Sequence, residues 1–296
     1  MIPLEGHGYR LTLDPDRGGS LLSLDMRQGE DWVALLEPLA DPAAGLRAGS
    51  FVMAPFANRI ADGRFTFQGR DFALPVNRPA EGMAIHGFAR DRVWQVRATT
   101  DDHARLSLRL DDPALPWRFD LDQRVTLSPA GVEVALAMTN TGDTPMPFGM
   151  GLHPWFRKPQ GATIRFRTAK SLRRDARGLP LAEAGEHPEF APETALPLGE
   201  TPWFDGVFPD WAPREALIRW PGEAVEIRLT ATGALRHLHV FVPDDRPVFC
   251  AEPVSHLPDA INRPALPQMD VLAPGESLSG AMILAAHTAV QPEVSP

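Results

Sequence analysis

The chain has 296 residues, a net charge of −9 and a pI near 5.5, an acidic balance that argues against a nucleic-acid partner, whose phosphates need a basic surface. Its 24 glycines and 31 prolines are spread along the sequence, which means many turns rather than a disordered tail. The hydrophobic share of 44% suffices for a sizeable core, and no apolar run approaches the ~20 residues that span a bilayer.

The N-terminal residues lack the basic and apolar regions of a leader and pass straight into a strand pattern. Tyr9, Leu11 and Leu13 alternate with polar residues, as do Phe65 and Phe67. The same period of two recurs in Leu106–Leu108–Leu110, Phe119–Leu121, Val132–Val134–Leu136–Met138 and Ile164–Phe166. It returns in Val225–Ile227–Leu229 and Leu238–Val240–Val242. Such alternation predicts half-buried antiparallel strands. Asp14 to Ser20 reads as a loop, and helix is expected only as one turn between Ser255 and Asn262. Residues 168–202, with five prolines and scattered charges, read as a long surface excursion. The expected fold is all-β, a sandwich of two stacked antiparallel sheets in one domain over residues 1–296.

Cys250 is the only cysteine, so no intramolecular disulfide is possible and a reducing, cytoplasmic setting is expected. It lies in FCAEPVSHLPDAIN, residues 249–262. By the period of two, Val248, Cys250 and Glu252 share one strand face, and Pro253 is expected to end the ladder. A carboxylate closing an apolar run is costly unless it meets a polar cleft; the competing reading is a helix cap or an ion pair. Arg59 in FANRIADGRF, His86 in MAIHGF and His153 in GMGLHPWF each place one polar group in an apolar, Gly- and Pro-punctuated setting. Taken singly, each has a plain alternative: a core histidine or a solvated arginine.

In this order and spacing the segments resemble the aldose 1-epimerase (galactose mutarotase) superfamily over nearly the whole chain. The resemblance rests on NRI at 58–60, GRFTFQG at 63–69, LPVN at 74–77, IHGF at 85–88, GLHPWF at 151–156, FDGVF at 204–208, the Glu252 segment and LAPGES at 272–277. Chain length and the HGFARDRVW continuation are similar to a shorter bacterial branch. The resemblance implies a large twisted β-supersandwich with a sugar cleft on one sheet face. It also implies a cofactor-independent isomerase that interconverts the anomers of a free aldose. Glu252 would be the base at the C1 hydroxyl and His153 the acid at the ring oxygen. His86, Asn58, Arg59, Asp205 and Trp155 would bind the sugar; the plain reading of Asp205 is an Asp-Gly turn.

Two positions depart from the longer relatives. Trp155 stands where many carry Tyr, and His239 where a substrate-facing Gln is common; both imply a hydroxyl pattern unlike galactose. His237 and His239, two apart on a strand, also form a workable metal pair, the rival reading. A non-catalytic sugar-binding protein is a second alternative. A hexose-6-phosphate mutarotase is the third, with Arg90, Arg92, Arg157 and Lys158 near the motifs. His7, His103, His187, His256 and His287 read as surface residues. The expected partner is a small sugar, without cofactor, metal, nucleic acid or membrane, and the protein would act as a monomer or homodimer.

Overall fold

The computed structural model describes residues 1–39, 48–185, 195–201 and 203–289. Among these residues the strands assemble into an antiparallel eleven-stranded sheet and an antiparallel nine-stranded sheet, with three small two-stranded pairings. The first sheet runs from Ile2–Gly6 through Ser50–Met53, Gly151–Arg157, Val248–Val254, His237–Val242 and Phe204–Phe208 to Ser171–Arg174 and Pro180–Gly185. The second holds Arg118–Ser128, Gly131–Asn140 and Ser277–Thr288 at its centre. The alternating residues singled out in sequence face inward: Leu11, Leu106, Leu121, Leu136, Leu229 and Val240 all belong to one buried cluster. Polar ties also join the sheets. Tyr9 Oη donates to Ala286 O and accepts from its N–H, both at 2.9 Å.

Among the described residues, helix is confined to short 3-10 turns, including Pro15–Arg17 within the expected loop and Ala260–Asn262 within the expected single turn. The GRFTFQG motif is the hairpin of Arg64–Phe67 and Arg70–Ala73, turned at Gln68 and Gly69 with φ of 48° and 73°. Two positive φ values at the turn centre match the right-handed twist of the flanking strands.

Two sequence expectations are corrected. The stretch 168–202 is not wholly irregular: Ser171–Arg174 and Pro180–Gly185 extend the first sheet, and Leu196–Pro197 edges the second. Its charges and prolines masked short strands that periodicity needs more residues to reveal. Likewise, Pro253 does not end its strand, because Pro253 pairs with Leu238 and Val254 with His237. Pro154 and Pro253 instead share a gap between neighbouring strands, whose pairing holds at Gly151↔Val254 and resumes at Trp155↔Cys250. The missing N–H groups therefore fall where no ladder bond is required. Glu252 consequently sits within the sheet, not at its mouth.

Candidate active site

Strand register sets the site. The pairings His153↔Phe51 and His239↔Glu252, with the Trp155↔Cys250 register, line up Phe51, His153, Glu252 and His239 across four adjacent strands. A second row follows from Trp155↔Cys250, Cys250↔Phe241 and Phe241↔Asp205. Residues two apart on a strand share a face, so both rows occupy the same side of the sheet. Phe51, Trp155 and Cys250 of these rows join Met53, Ala57, Val248 and Val254 in an apolar cluster set off from the main core.

At the centre, His153 Nε2 lies 3.3 Å from Glu252 Oε1, with both residues buried. Desolvation drives the Glu252 carboxyl up to about 8, against the pull of Arg174 and Arg59. Desolvation, then His239 and Arg90, holds the His153 imidazole well below its ordinary value. Burial disfavours the charged form of each, so near neutral pH both groups are neutral and the carboxyl keeps its proton. His153 stacks between Phe51 (centroids 4.4 Å apart) and Trp155 (5.2 Å), which fixes its plane.

Asn58 and His86 are locked together through backbone. Both have positive φ, 55° and 64°. His86 N–H donates to Asn58 O at 2.8 Å, and Asn58 N–H donates to His86 Nδ1 at 3.2 Å. A backbone N–H can only donate, so the His86 proton resides on Nε2, a donor available to a ligand. Gly87 explains the HGF motif: its φ is +68°, and a Cβ there would lie 2.1 Å from Ala54 O.

His239 departs from its expected role. Its Nδ1 lies 2.7 Å from Asn58 Nδ2 and its Nε2 lies 2.5 Å from Asp205 Oδ1. Both ring nitrogens are taken by protein, so His239 braces Asn58 and Asp205 rather than presenting a free nitrogen to a hydroxyl. Asp205 lies within the strand Phe204–Phe208, not in a turn. Its carboxylate also pairs with Arg174, and Arg59 Nη1 stands 3.9 Å away. Trp155 is only 5% exposed and spends one face on His153, so little of the indole is open to a sugar.

Sequence reasoning missed two residues. Arg174, its side chain 9% exposed, enters the site from a strand inside the supposed excursion; a lone RR pair carries no signal. His256 is buried rather than on the surface. Its Nε2 accepts from Ala57 N–H at 2.9 Å and its Nδ1 bonds Leu257 O at 2.8 Å, pinning the chain just before Asn58. Gly149 makes room for that ring, since a Cβ there would lie 2.0 Å from it. Of the other histidines, His7 and His287 are exposed and His103 half-buried, while His187 lies outside the described residues.

Three of the basic residues weighed for phosphate are engaged away from the site. Arg92 pairs with Asp112 at 3.0 Å, Arg157 binds Glu223 through two nitrogens, and Lys158 Nζ reaches Pro243 O at 3.3 Å. Arg90 is buried over the Phe51 ring, 5.1 Å from its centroid. His237 is also engaged, accepting from Asp210 N–H at 2.9 Å. Among the described residues, the donors spaced to share one cation are His153, Cys250 and Glu252, within 4.8 Å of one another.

Residues 5–285 match the family model for aldose 1-epimerase. The chain belongs to the aldose 1-epimerase family. It is 30% identical to the Escherichia coli K12 protein YphB, whose function is uncharacterised, over 94% of this chain and 96% of that one. A crystal structure of a candidate aldose 1-epimerase from Escherichia coli K12 superposes with a TM-score of 0.85 at 28% identity, covering 97% and 98% of the two chains. The GalM/aldose epimerase homologue of C. elegans gives 0.84 at 16% identity over 98% and 99%, a likeness of fold. The sandwich read from sequence is therefore that of the galactose mutarotase-like proteins. Among the described residues, no helix is long and apolar enough to cross a membrane.

Proposed function

We propose that this protein is a single-domain, cofactor-independent aldose 1-epimerase acting on a free aldose. One observation carries the reading: a buried carboxyl and a buried imidazole, 3.3 Å apart, on the floor of a polar site in this family's fold. Anomer exchange needs two proton transfers of opposite sense. The C1 hydroxyl loses a proton while the ring oxygen gains one, opening the ring to the aldehyde; rotation about C1–C2 and reclosure give the other anomer.

A pair holding one proton suits that task. With sugar bound, the proton crosses from Glu252 to His153, leaving a carboxylate to take the C1 hydroxyl proton and an imidazolium to protonate the ring oxygen. Reclosure reverses both transfers and restores the starting state. Asn58, Arg59 and the Nε2–H of His86 hold the sugar oxygens, and Trp155 backs His153. Prior fixing of these groups by His239, His256 and strand register spares reorganisation during reaction.

A binding protein would have no use for a shared buried proton. Saturation-transfer NMR on a panel of equilibrated aldoses separates the two. Enzyme-dependent magnetisation transfer between α and β C1 protons supports the proposal; sugar-induced spectral shifts without transfer support the binder.

A further inference from the structure

The side of the site away from His153 holds an excess of cationic donors. Arg174 spends Nη1 on the Asp205 carboxylate and on Asp205 O at 3.2 Å, while its Nε and Nη2 are buried without hydrogen-bond partners. Arg59 gives Nη1 to Asn58 Oδ1 at 3.3 Å and Nη2 to the exposed Glu81 at 3.2 Å, and its Nε is buried and unpartnered. Both guanidiniums border Gly178. A Cβ built there would lie 3.7 Å from Arg59 Cζ and 3.9 Å from Arg174 Cζ, so the missing side chain leaves a cradle between two like charges. The turn around it is fixed, because Asp175 Oδ1 accepts from Arg177 N–H and Leu179 N–H at 2.8 and 2.9 Å.

The carboxylate paired with Arg174 is already committed. One Asp205 oxygen serves His239 and the other Arg174. A sugar hydroxyl brings a proton that must itself find an acceptor, whereas an anion offers acceptors only. Buried guanidinium N–H groups left unpaired are costly, and a charged oxygen is their strongest partner. We infer that Arg174 and Arg59 form an anion subsite, and that the preferred substrate is an aldose carrying a carboxylate or phosphate group. This rests on the aldose epimerase reading of the site.

The test pairs binding with turnover. Calorimetry and thermal shift would compare glucuronate, glucose 6-phosphate and glucose, and exchange NMR would give kcat/KM for the same sugars, on the wild type, Arg174→Gln and Arg174→Lys. The subsite requires at least one anionic sugar to bind and react ~10-fold or more better than glucose. Arg174→Gln should cut the anionic-to-neutral ratio by ~10–100-fold, and Arg174→Lys by less, since lysine keeps the charge but not the fork. Which anion wins identifies the source. Equal or better binding of glucose overturns the subsite. So does an Arg174→Gln variant that weakens all three sugars alike, which would make Arg174 a brace for Asp205. If neutral aldoses exchange while anionic ones gain nothing, the subsite fails and the epimerase stands; if anionic sugars bind through Arg174 but none exchanges, the reverse holds.

Discussion

Replacing Glu252 with Gln keeps the side chain's size while removing its charge and its proton. Burial raises the carboxyl from 4.5 to about 8 in the folded protein. Between those values the native state holds a proton that the unfolded chain has released. The contribution of Glu252 to stability is therefore full below pH ~4.5 and is lost as pH rises towards about 8. At ~1.4 kcal/mol per pH unit the whole loss is on the order of 5 kcal/mol. Glu252→Gln has no such dependence. It should match the wild type in urea denaturation near pH 5 and exceed it by several kcal/mol near pH 9. Over the same range, polarimetry should show anomer exchange reduced by ~10²–10⁴ in the variant. A stability difference independent of pH, or a rate near that of the wild type, would refute the buried-carboxyl reasoning.

Further consequences follow from the same geometry. The singly protonated Glu252–His153 pair predicts a kcat/KM that holds near neutrality and falls above about pH 8, when the carboxyl loses the shared proton; it also falls on the acid side, below the usual histidine range, when His153 gains a second. A profile that keeps rising above pH 9 would mean that Glu252 works only as an ordinary ionised base. His239→Ala releases both Asn58 and Asp205, leaving buried groups unpaired, so KM should rise ~10-fold or more; an unchanged KM would remove its bracing role. Gly87→Ala should lower stability by ~2–4 kcal/mol in denaturant unfolding, because both its positive φ and Ala54 O oppose a Cβ. Exhaustive EDTA treatment should leave the exchange rate unchanged; loss restored by one divalent metal would implicate the His153, Cys250 and Glu252 donors instead.

Strand periodicity made the sandwich legible because its longest strands show several alternations, as in Val132 to Met138. The central residues were legible through motifs whose glycines have identifiable work: Gly87 passes beneath Ala54 O and Gly149 clears His256. What stayed hidden depends on partners distant in sequence. Arg174 meets Asp205 only because a four-residue strand pairs at Leu172↔Val207, and nothing local announces that contact. His256 looks like a turn residue until Ala57 N–H is found on its ring. The proline after Glu252 suggested a strand end because a single strand cannot reveal that its neighbour carries a matching proline. The strand pattern of His239 points towards substrate, and occupancy of both its nitrogens can be known only from three dimensions.

The central claim is that Glu252 and His153 open and reclose a sugar ring at C1. It is tested most directly by exchange NMR in D2O on neutral and anionic aldoses, following the C1 and C2 protons. The claim requires an α-to-β exchange rate proportional to enzyme concentration, with both protons retained, because ring opening moves only hydroxyl protons. Deuterium at C2 would reveal an enediol isomerase, and no acceleration with any aldose of the panel would contradict the assignment outright.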